Sequence, residues 1–373
     1  MLENFFGEEI EKTVFLSAAQ MREAHPGPVR GKYFKDTAIS VSYTHLTLPT
    51  NREEPNAKGF CGVAGQEKIQ FYFDGKPIKA EPYELHQNIF SRNKGILETD
   101  KMDHKRAVIL GCGSVGSLVA MELARSGVGH FLLADPDVME YHNICRHQCG
   151  IEDVGDLKIN ALKRKLLNIN PQVDVQIFEG IVQNIPKAVL DDFCVKGETV
   201  FVGCADNRGA DVYANRISIY YGAAFLSVGF WERAYAGEIF YHIPDRGMPC
   251  YACALGEGTE LSARVQANHH VYSNQENIEG VRFEPGISVD INFITCIGVK
   301  LCLDILNMTE PGYRPRLLNT LKQYTLVCNT SDPEIGGEMV EIFSYPLQVT
   351  TSLKVGFHSE KCPGQCRYEI EDH

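Results

Sequence analysis

The stretch Arg106–Gln148, RAVILGCGSVGSLVAMELARSGVGHFLLADPDVMEYHNICRHQ, decides how the rest of the chain is read. Its opening apolar run, Ala107 to Leu110, is short enough for a buried parallel strand and ends directly in Gly111-Cys112-Gly113-Ser114-Val115-Gly116. The three glycines serve different ends. Gly111 permits a tight turn, Gly113 lets a phosphate approach the backbone, and Gly116 lets the following helix pack on the strand. A phosphate in this loop faces a helix N-terminus, where unpaired N–H groups and the helix dipole both favour negative charge. A second predicted strand, His130 to Ala134, ends in Asp135, placed where an acidic side chain takes a ribose hydroxyl in nucleotide-binding folds of this kind.

Adenosine recognition alone does not separate a dehydrogenase from other nucleotide enzymes. The run that follows the second strand does: Asn143-Ile144-Cys145-Arg146-His147-Gln148 offers a guanidinium for which hydride transfer has no general need. With Ala134-Asp135-Pro136-Asp137, Gly155-Asp156-Leu157-Lys158, Cys204-Ala205-Asp206-Asn207 and Pro249-Cys250-Tyr251-Ala252-Cys253, in that order, the chain resembles the ubiquitin-activating-enzyme-like adenylyltransferases, whose bacterial members include MoeB, ThiF and HesA. The resemblance covers roughly residues 88 to 373. It implies an α/β fold, a Rossmann-like doubly wound, mostly parallel sheet with an antiparallel extension and a C-terminal four-cysteine zinc tie.

The formal charge of -12 and pI near 5.5 argue against a nucleic-acid surface, which would show clustered Lys and Arg. The first residues, MLENFFGEEIEK, are acidic and lack the apolar core of a signal peptide, and no run reaches the ~18 apolar residues of a membrane span. Thirteen cysteines, an odd number, fit reduced thiols and a metal better than a disulfide scaffold. These features together are those of a cytoplasmic enzyme.

Residues 1–87 form a separate N-terminal segment to which no function is assigned. Glu3 to Ala24 is read as one or two short amphipathic helices, and Gln70 to Lys76 as a strand running into a turn at Asp74-Gly75. Residues 41–51, Val41-Ser-Tyr-Thr-His-Leu-Thr-Leu-Pro-Thr-Asn51, resemble a translated sequencing-adapter segment, so this piece is read as a sequence artefact rather than an edge strand. Further on, a helix is expected over Leu157–Ile169, strands over Val173–Phe178 and Val200–Gly203, a helix over Asn207–Tyr221, and strands over Phe225–Gly229 and Gly237–His242. A polar loop over the active site is expected between Gly256 and Pro285, then an apolar helix from Ile287 to Met308. His269 and His270 in that loop are adjacent and do not converge on one ion, so they are not read as ligands. Two strand-like runs are read between Glu338 and Val355.

Cys250 and Cys253 form a CxxC, and Cys362 and Cys366 a CxxxC more than a hundred residues later. Four thiolates suit a structural Zn²⁺, which would fasten the C-terminal segment to the main fold; the second spacing departs from the family's CxxC but stays within what zinc sites tolerate. A redox CxxC, the competing reading, would want the pair at a helix start in a thioredoxin-like setting.

The resemblance implies adenylation: a carboxylate oxygen attacks the α-phosphorus of ATP, giving an acyl-adenylate and pyrophosphate. Arg146 and Lys158 would pair with phosphate oxygens, Asp206 would hold Mg²⁺, Asp135 would fix the ribose, and Asn143, Asn207 and Asp137 would bond near the phosphates or ribose. Arg92 matches the arginine that reaches the ATP of a neighbouring subunit, which implies a homodimer. Taken singly, Arg146 and Lys158 could be solvated charges paired with Asp153 or Asp156, and Asp206 a cap for the helix after it. The acceptor implied is the C-terminal carboxylate of a ubiquitin-like or sulfur-carrier protein, or of a ribosomal peptide. Some relatives capture the acyl group on a cysteine; here the corresponding place reads Arg282, while Cys296 and Cys302 fall in the apolar helix as buried, inert thiols, so no obligatory thioester is expected. The competing readings are an NAD-dependent oxidoreductase and a non-catalytic dimerising scaffold of the same fold.

Overall fold

The computed structural model describes residues 13–16, 31–34, 37–40, 60–64, 69–73, 76–82, 89–97, 99–205, 207–231, 234–256, 286–330, 347–357 and 362. Residues 41–51, Asp206, His269, His270, Arg282, Cys366, the turn at Asp74-Gly75 and the run 338–346 lie outside the described residues.

The chain divides into two units, residues 1–92 with 170–172, and the remainder. In the first unit, six strands form one sheet in the order β2-β3-β1-β6-β5-β4: β1 (Thr13–Leu16), β2 (Gly31–Phe34), β3 (Thr37–Ser40), β4 (Phe60–Ala64), β5 (Ile69–Phe73) and β6 (Lys76–Pro82). The helices expected before Ala24 are replaced, at Thr13–Leu16, by a strand that pairs in parallel with both β3 and β6. Thr-Val-Phe-Leu is β-branched and aromatic, a composition that favours a pleated surface over a helix.

The second unit is built on an eight-stranded sheet, β14-β13-β12-β11-β10-β7-β8-β9. Its parallel part comprises β7 (Arg106–Leu110), β8 (His130–Ala134), β9 (Asp174–Phe178), β10 (Thr199–Gly203) and β11 (Ala224–Phe230). β12 (Ala236–His242), β13 (Tyr324–Cys328) and β14 (Gln348–Leu353) extend it antiparallel. The parallel order reverses direction between β7 and β10, and such a switch point is where ligands bind in open α/β sheets.

Both faces of this sheet are covered, as near-continuous apolar strands require. In β7, Ala107 and Ile109 point into one core with α1 (Ser114–Arg125), α2 (Lys158–Ile169) and α6 (Ser288–Asn307). Val108 and Leu110 point into the other, with α3 (Lys187–Phe193), α4 (Arg208–Tyr220) and α5 (Tyr251–Leu255). The 20-residue α6 is the expected apolar helix and packs on α1 and β11. Gly298 allows that approach: a Cβ there would stand 2.6 Å from Val228 Cγ2. Cys302 is buried as expected, with burial pushing its thiol up to about 12. Cys296, expected buried, is exposed, because it falls on the side of α6 turned away from the sheet.

Candidate nucleotide site and cysteine cluster

The glycine loop has the turn at Gly111 and the close helix packing at Gly116 that its spacing predicts. Gly111 lies at φ +92, the left-handed region that suits glycine, and a Cβ there would sit 3.0 Å from the backbone nitrogen of Ala205. At Gly116 a Cβ would stand 1.8 Å from the carbonyl oxygen of Gly111, so the helix packs on the loop only because that side chain is missing. A methyl placed on Gly113 would meet nothing within 4 Å, which leaves its face open. Two outcomes follow. Gly116→Ala should destabilise the chain by about 3 kcal/mol or more in urea unfolding, since a backbone oxygen cannot yield as a side chain would. Gly113→Ala should unfold within about 1 kcal/mol of the parent yet lose ATP affinity, as measured by calorimetry.

Gly113 is the N-cap of α1; the cap has no side-chain hydrogen bond, and the first turn carries no acidic residue. The helix therefore begins with N–H groups not taken by a side-chain cap, at its positive end, a ready place for an anion. Beside it, Asp135 is 5% exposed and holds the loop in shape: its Oδ2 accepts the N–H of Cys112 at 2.6 Å, and its Oδ1 accepts that of Asp137 at 2.8 Å. His147 braces the same loop from below, with Nε2 at 2.7 Å from the Cys112 carbonyl and Nδ1 accepting the N–H of Cys149 at 3.0 Å. That pattern assigns the proton to Nε2, and burial holds the imidazole neutral by pulling its pKa below the ordinary value.

The cavity above the loop has a volume of about 670 Å³. Gly111, Gly113, Asp135, Asp137, Arg146, Lys158 and Asn207 all line it. Lys158 opens α2, where a cation opposes the helix dipole, and its Nζ lies 2.7 Å from Asp137 Oδ2. Its partner is thus Asp137 and not Asp153 or Asp156, both of which pair with Arg164. Arg146 is half-buried, and a methyl placed on Gly286 would stand 3.8 Å from its Nη1, so the guanidinium lies near the start of α6. Two asparagines also make hydrogen bonds within the fold. The Asn143 amide oxygen accepts the N–H of Glu140 at 3.0 Å, and Asn143 is not in the cavity wall. The Asn207 amide oxygen caps α4 through the N–H of Ala210 at 3.1 Å. Since Asn207 is the cap, the capping role considered for Asp206 is already filled, while both neighbours of Asp206, Ala205 and Asn207, face the cavity. Arg92 belongs to the first unit and is exposed on a turn.

Asp211 was not singled out by the sequence. It is 5% exposed, lines the cavity and accepts from Ser227 Oγ at 2.8 Å. Gly203 makes room for it, since a Cβ there would lie 2.1 Å from Asp211 Oδ1. Burial pushes its carboxyl up to about 7, against the pull of Ser227 and Tyr251; Glu238 adds to the rise and Arg208 opposes it. Glu238 is itself held by Arg208 at 3.0 Å and Tyr324 at 2.9 Å. A carboxyl whose folded pKa is raised contributes stability that is present at pH 4 and lost as pH rises through about 7. The stability advantage of Asp211→Asn over the parent should therefore grow between pH 4 and 8 in urea unfolding; a gap constant across that range would contradict the assignment. No residue pattern marks Asp211 from sequence, because its place on α4 reads as the solvated first turn of a helix.

Three other cysteines, none of them in the cavity wall, come together at α5. Cys250 Sγ lies 3.9 Å from Cys253 and 3.2 Å from Cys362, and Cys253 lies 3.3 Å from Cys362, all three buried. Tetrahedral thiolates around one Zn²⁺ at ~2.3 Å would stand ~3.8 Å apart, so three of the four ligands fit with slight expansion. Cys250 does cap a short helix, α5, as a redox pair would. The third thiol, equidistant from both, is what that reading does not explain.

A glycine loop between β7 and α1, a buried aspartate at the end of β8 and two cations around one cavity make up the candidate nucleotide site of this α/β fold. The family model described as "ThiF family" matches residues 85–335, and the chain belongs to the ThiF family. It is 31% identical over 216 residues to ubiquitin-like modifier-activating enzyme 5 of Mus musculus, covering 54% of this chain and 52% of that protein. It is 32% identical over 160 residues to the sulfur carrier protein ThiS adenylyltransferase of Bacillus subtilis (strain 168), covering 42% and 45%. The chain thus spans about half the length of the curated relatives it matches. Among solved structures, E. coli MccB with ATP superposes with a TM-score of 0.51 at 20% identity, over 74% of each chain, a likeness of fold. Among the described residues, no helix is long and apolar enough to cross a membrane.

Proposed function

We propose that this chain activates the C-terminal carboxylate of a ubiquitin-like protein, a sulfur-carrier protein or a peptide by adenylation. The carboxylate oxygen bonds to the α-phosphorus of ATP, the bond to the β-phosphate oxygen breaks, and pyrophosphate leaves with its electron pair. No protein nucleophile is needed, so the work is to align two anions and neutralise the charge that builds between them. The observation that carries this reading is the meeting of Gly113, Arg146 and Lys158, distant in sequence, on one cavity.

In this reading the α1 N-terminus and Gly113 receive phosphate oxygens. Arg146 supplies a planar fork and Lys158 a point charge. Lys158 rests on Asp137 until phosphate oxygens compete for it, which gives Asp137 its place near the phosphates. Asp135, with both carboxylate oxygens already holding the loop, keeps a lone pair on each for a ribose hydroxyl. Asp206 holds Mg²⁺, which neutralises phosphate charge when bound, and its two neighbours in the cavity wall support that placement. Asn143 and Asn207 bond near the phosphates or ribose, and Asn207, which lines the cavity, keeps its amide N–H groups for this while its oxygen caps α4. Arg92 completes the site of a partner subunit in a homodimer. Cys250, Cys253, Cys362 and Cys366 hold a structural Zn²⁺, and the enzyme works in the cytoplasm.

The test is ATP–pyrophosphate exchange with Mg²⁺ and a peptide ending in Gly-Gly. Peptide-dependent exchange is expected. Tight NAD binding without Mg²⁺, and no exchange, would favour an oxidoreductase; neither activity would favour a scaffold.

A further inference from the structure

Trp231 is the single tryptophan of the chain, and it lines the cavity together with Phe230, Ala234 and Ile291. The residue is 5% exposed, and its indole Nε1 is shut off from solvent with no hydrogen-bond partner among the described residues. Its backbone is already committed: the N–H donates to the Ala236 carbonyl at 3.0 Å, and the carbonyl accepts from Ala234 at 2.9 Å. Ala234 lies at φ 56, and its N–H bond to the Trp231 carbonyl holds the tryptophan backbone at the cavity wall. An indole N–H can only donate, and a buried donor left unpaired is costly. An acceptor brought by the cavity's occupant would relieve that cost, through a change of side-chain torsion without movement of the backbone.

Strand order says which occupant. Across the sheet the sequence is β9-β8-β7-β10-β11. Asp135 stands at the end of β8, the glycine loop at the end of β7, and Trp231 beyond β10 at the end of β11. With ribose at Asp135 and phosphates at Gly113, the β11 end receives what attacks the phosphate. A methyl on Gly286 would be 3.4 Å from Ala234 Cβ, 3.5 Å from Ile291 Cδ1 and 3.8 Å from Arg146 Nη1, so the guanidinium borders the same end. Charge comes from Arg146, and direction from the indole.

We propose that Trp231 is a specificity-determining residue whose indole N–H donates to an oxygen of the acyl group being activated. This rests on the adenylation reading and goes beyond it in naming the group that orients the carboxylate. The apolar wall of Phe230, Ala234 and Ile291 suits an acceptor with a small, uncharged C-terminal residue.

The probe is 5′-O-[N-(glycylglycyl)sulfamoyl]adenosine, an unreactive mimic of a peptidyl adenylate, titrated into the full chain beside AMP. Calorimetry gives affinities, and tryptophan emission reports residue 231 alone. The wild type should bind the mimic more tightly than AMP, with an emission change for the mimic and none for AMP. Trp231→Phe should keep its AMP affinity, which controls for folding, and lose roughly three- to tenfold for the mimic. Equal affinity of Trp231→Phe and wild type for the mimic overturns the inference while leaving adenylation intact, and so does an emission change that is the same for AMP. Should the variant not fold, the wild-type emission comparison decides alone. A wild type that binds the mimic no better than AMP overturns the adenylation reading itself.

Discussion

Arg146→Ala is expected to lower peptide-dependent pyrophosphate exchange by about 10²–10³-fold, the size seen when one preorganised electrostatic group is removed from a transition state. The reason lies in where the guanidinium sits. It is half-buried in the cavity wall near Gly286, so the charge it offers is less screened than a surface arginine's. The loss should fall mainly on kcat, since negative charge on the bridging and leaving oxygens grows as pyrophosphate departs. Lys158→Ala should act in the same direction and also strand Asp137, whose carboxylate it holds at 2.7 Å. Arg164→Ala is the control: that arginine pairs with Asp153 and Asp156 and leaves the cavity untouched, so exchange should stay at the wild-type rate. Wild-type exchange by Arg146→Ala would remove the main cation from the proposed chemistry.

The second large effect concerns the cysteines. Cys250→Ser or Cys362→Ser is expected to release zinc and to destabilise the chain by about 4 kcal/mol or more, since metal loss is among the few single changes of that size. At roughly 2–4 °C per kcal/mol for a domain of this kind, the melting temperature should fall by about 10 °C. The mechanism is mechanical. Cys250 and Cys253 sit at α5, whose Tyr251 packs edge-on against Phe225 and Phe240 of the central sheet, while Cys362 comes from the far end of the chain. A metal shared between them would tie Cys362 to the core. Zinc content by plasma mass spectrometry, with and without a chelator, reads the same event independently. A purified wild type that holds no zinc, and a serine variant that melts with it, would contradict the site.

Much of this arrangement was legible in the chain because one physical demand was written in one place. A phosphate loop needs glycine for different reasons at Gly111, Gly113 and Gly116, and the three positions meet three different surroundings: a positive φ, open space and a backbone oxygen. Lys158 was legible for the opposite reason, as a cation placed where a helix dipole disfavours it. Where the sequence fell short, the cause was the partner. Asp137 as the mate of Lys158, His147 under the loop and Asp211 against Gly203 depend on residues in other elements of the fold, and nothing local announces them. Cys296 misled because the apolar pattern of α6 is nearly uniform, so the exposed side of the helix is hard to tell from the packed one. In the first unit, the run at Thr13–Leu16 is too short for periodicity to separate strand from helix, and its pairing with β3 and β6 decides it.

The most direct test of the central claim is a crystal structure of the chain with Mg²⁺ and a non-hydrolysable ATP analogue. The account predicts the triphosphate over Gly113 and the first turn of α1, with Arg146 and Lys158 each within ~3 Å of phosphate oxygens and the ribose on Asp135. A nucleotide bound elsewhere, or phosphates in the loop with both cations turned away from them, would contradict it.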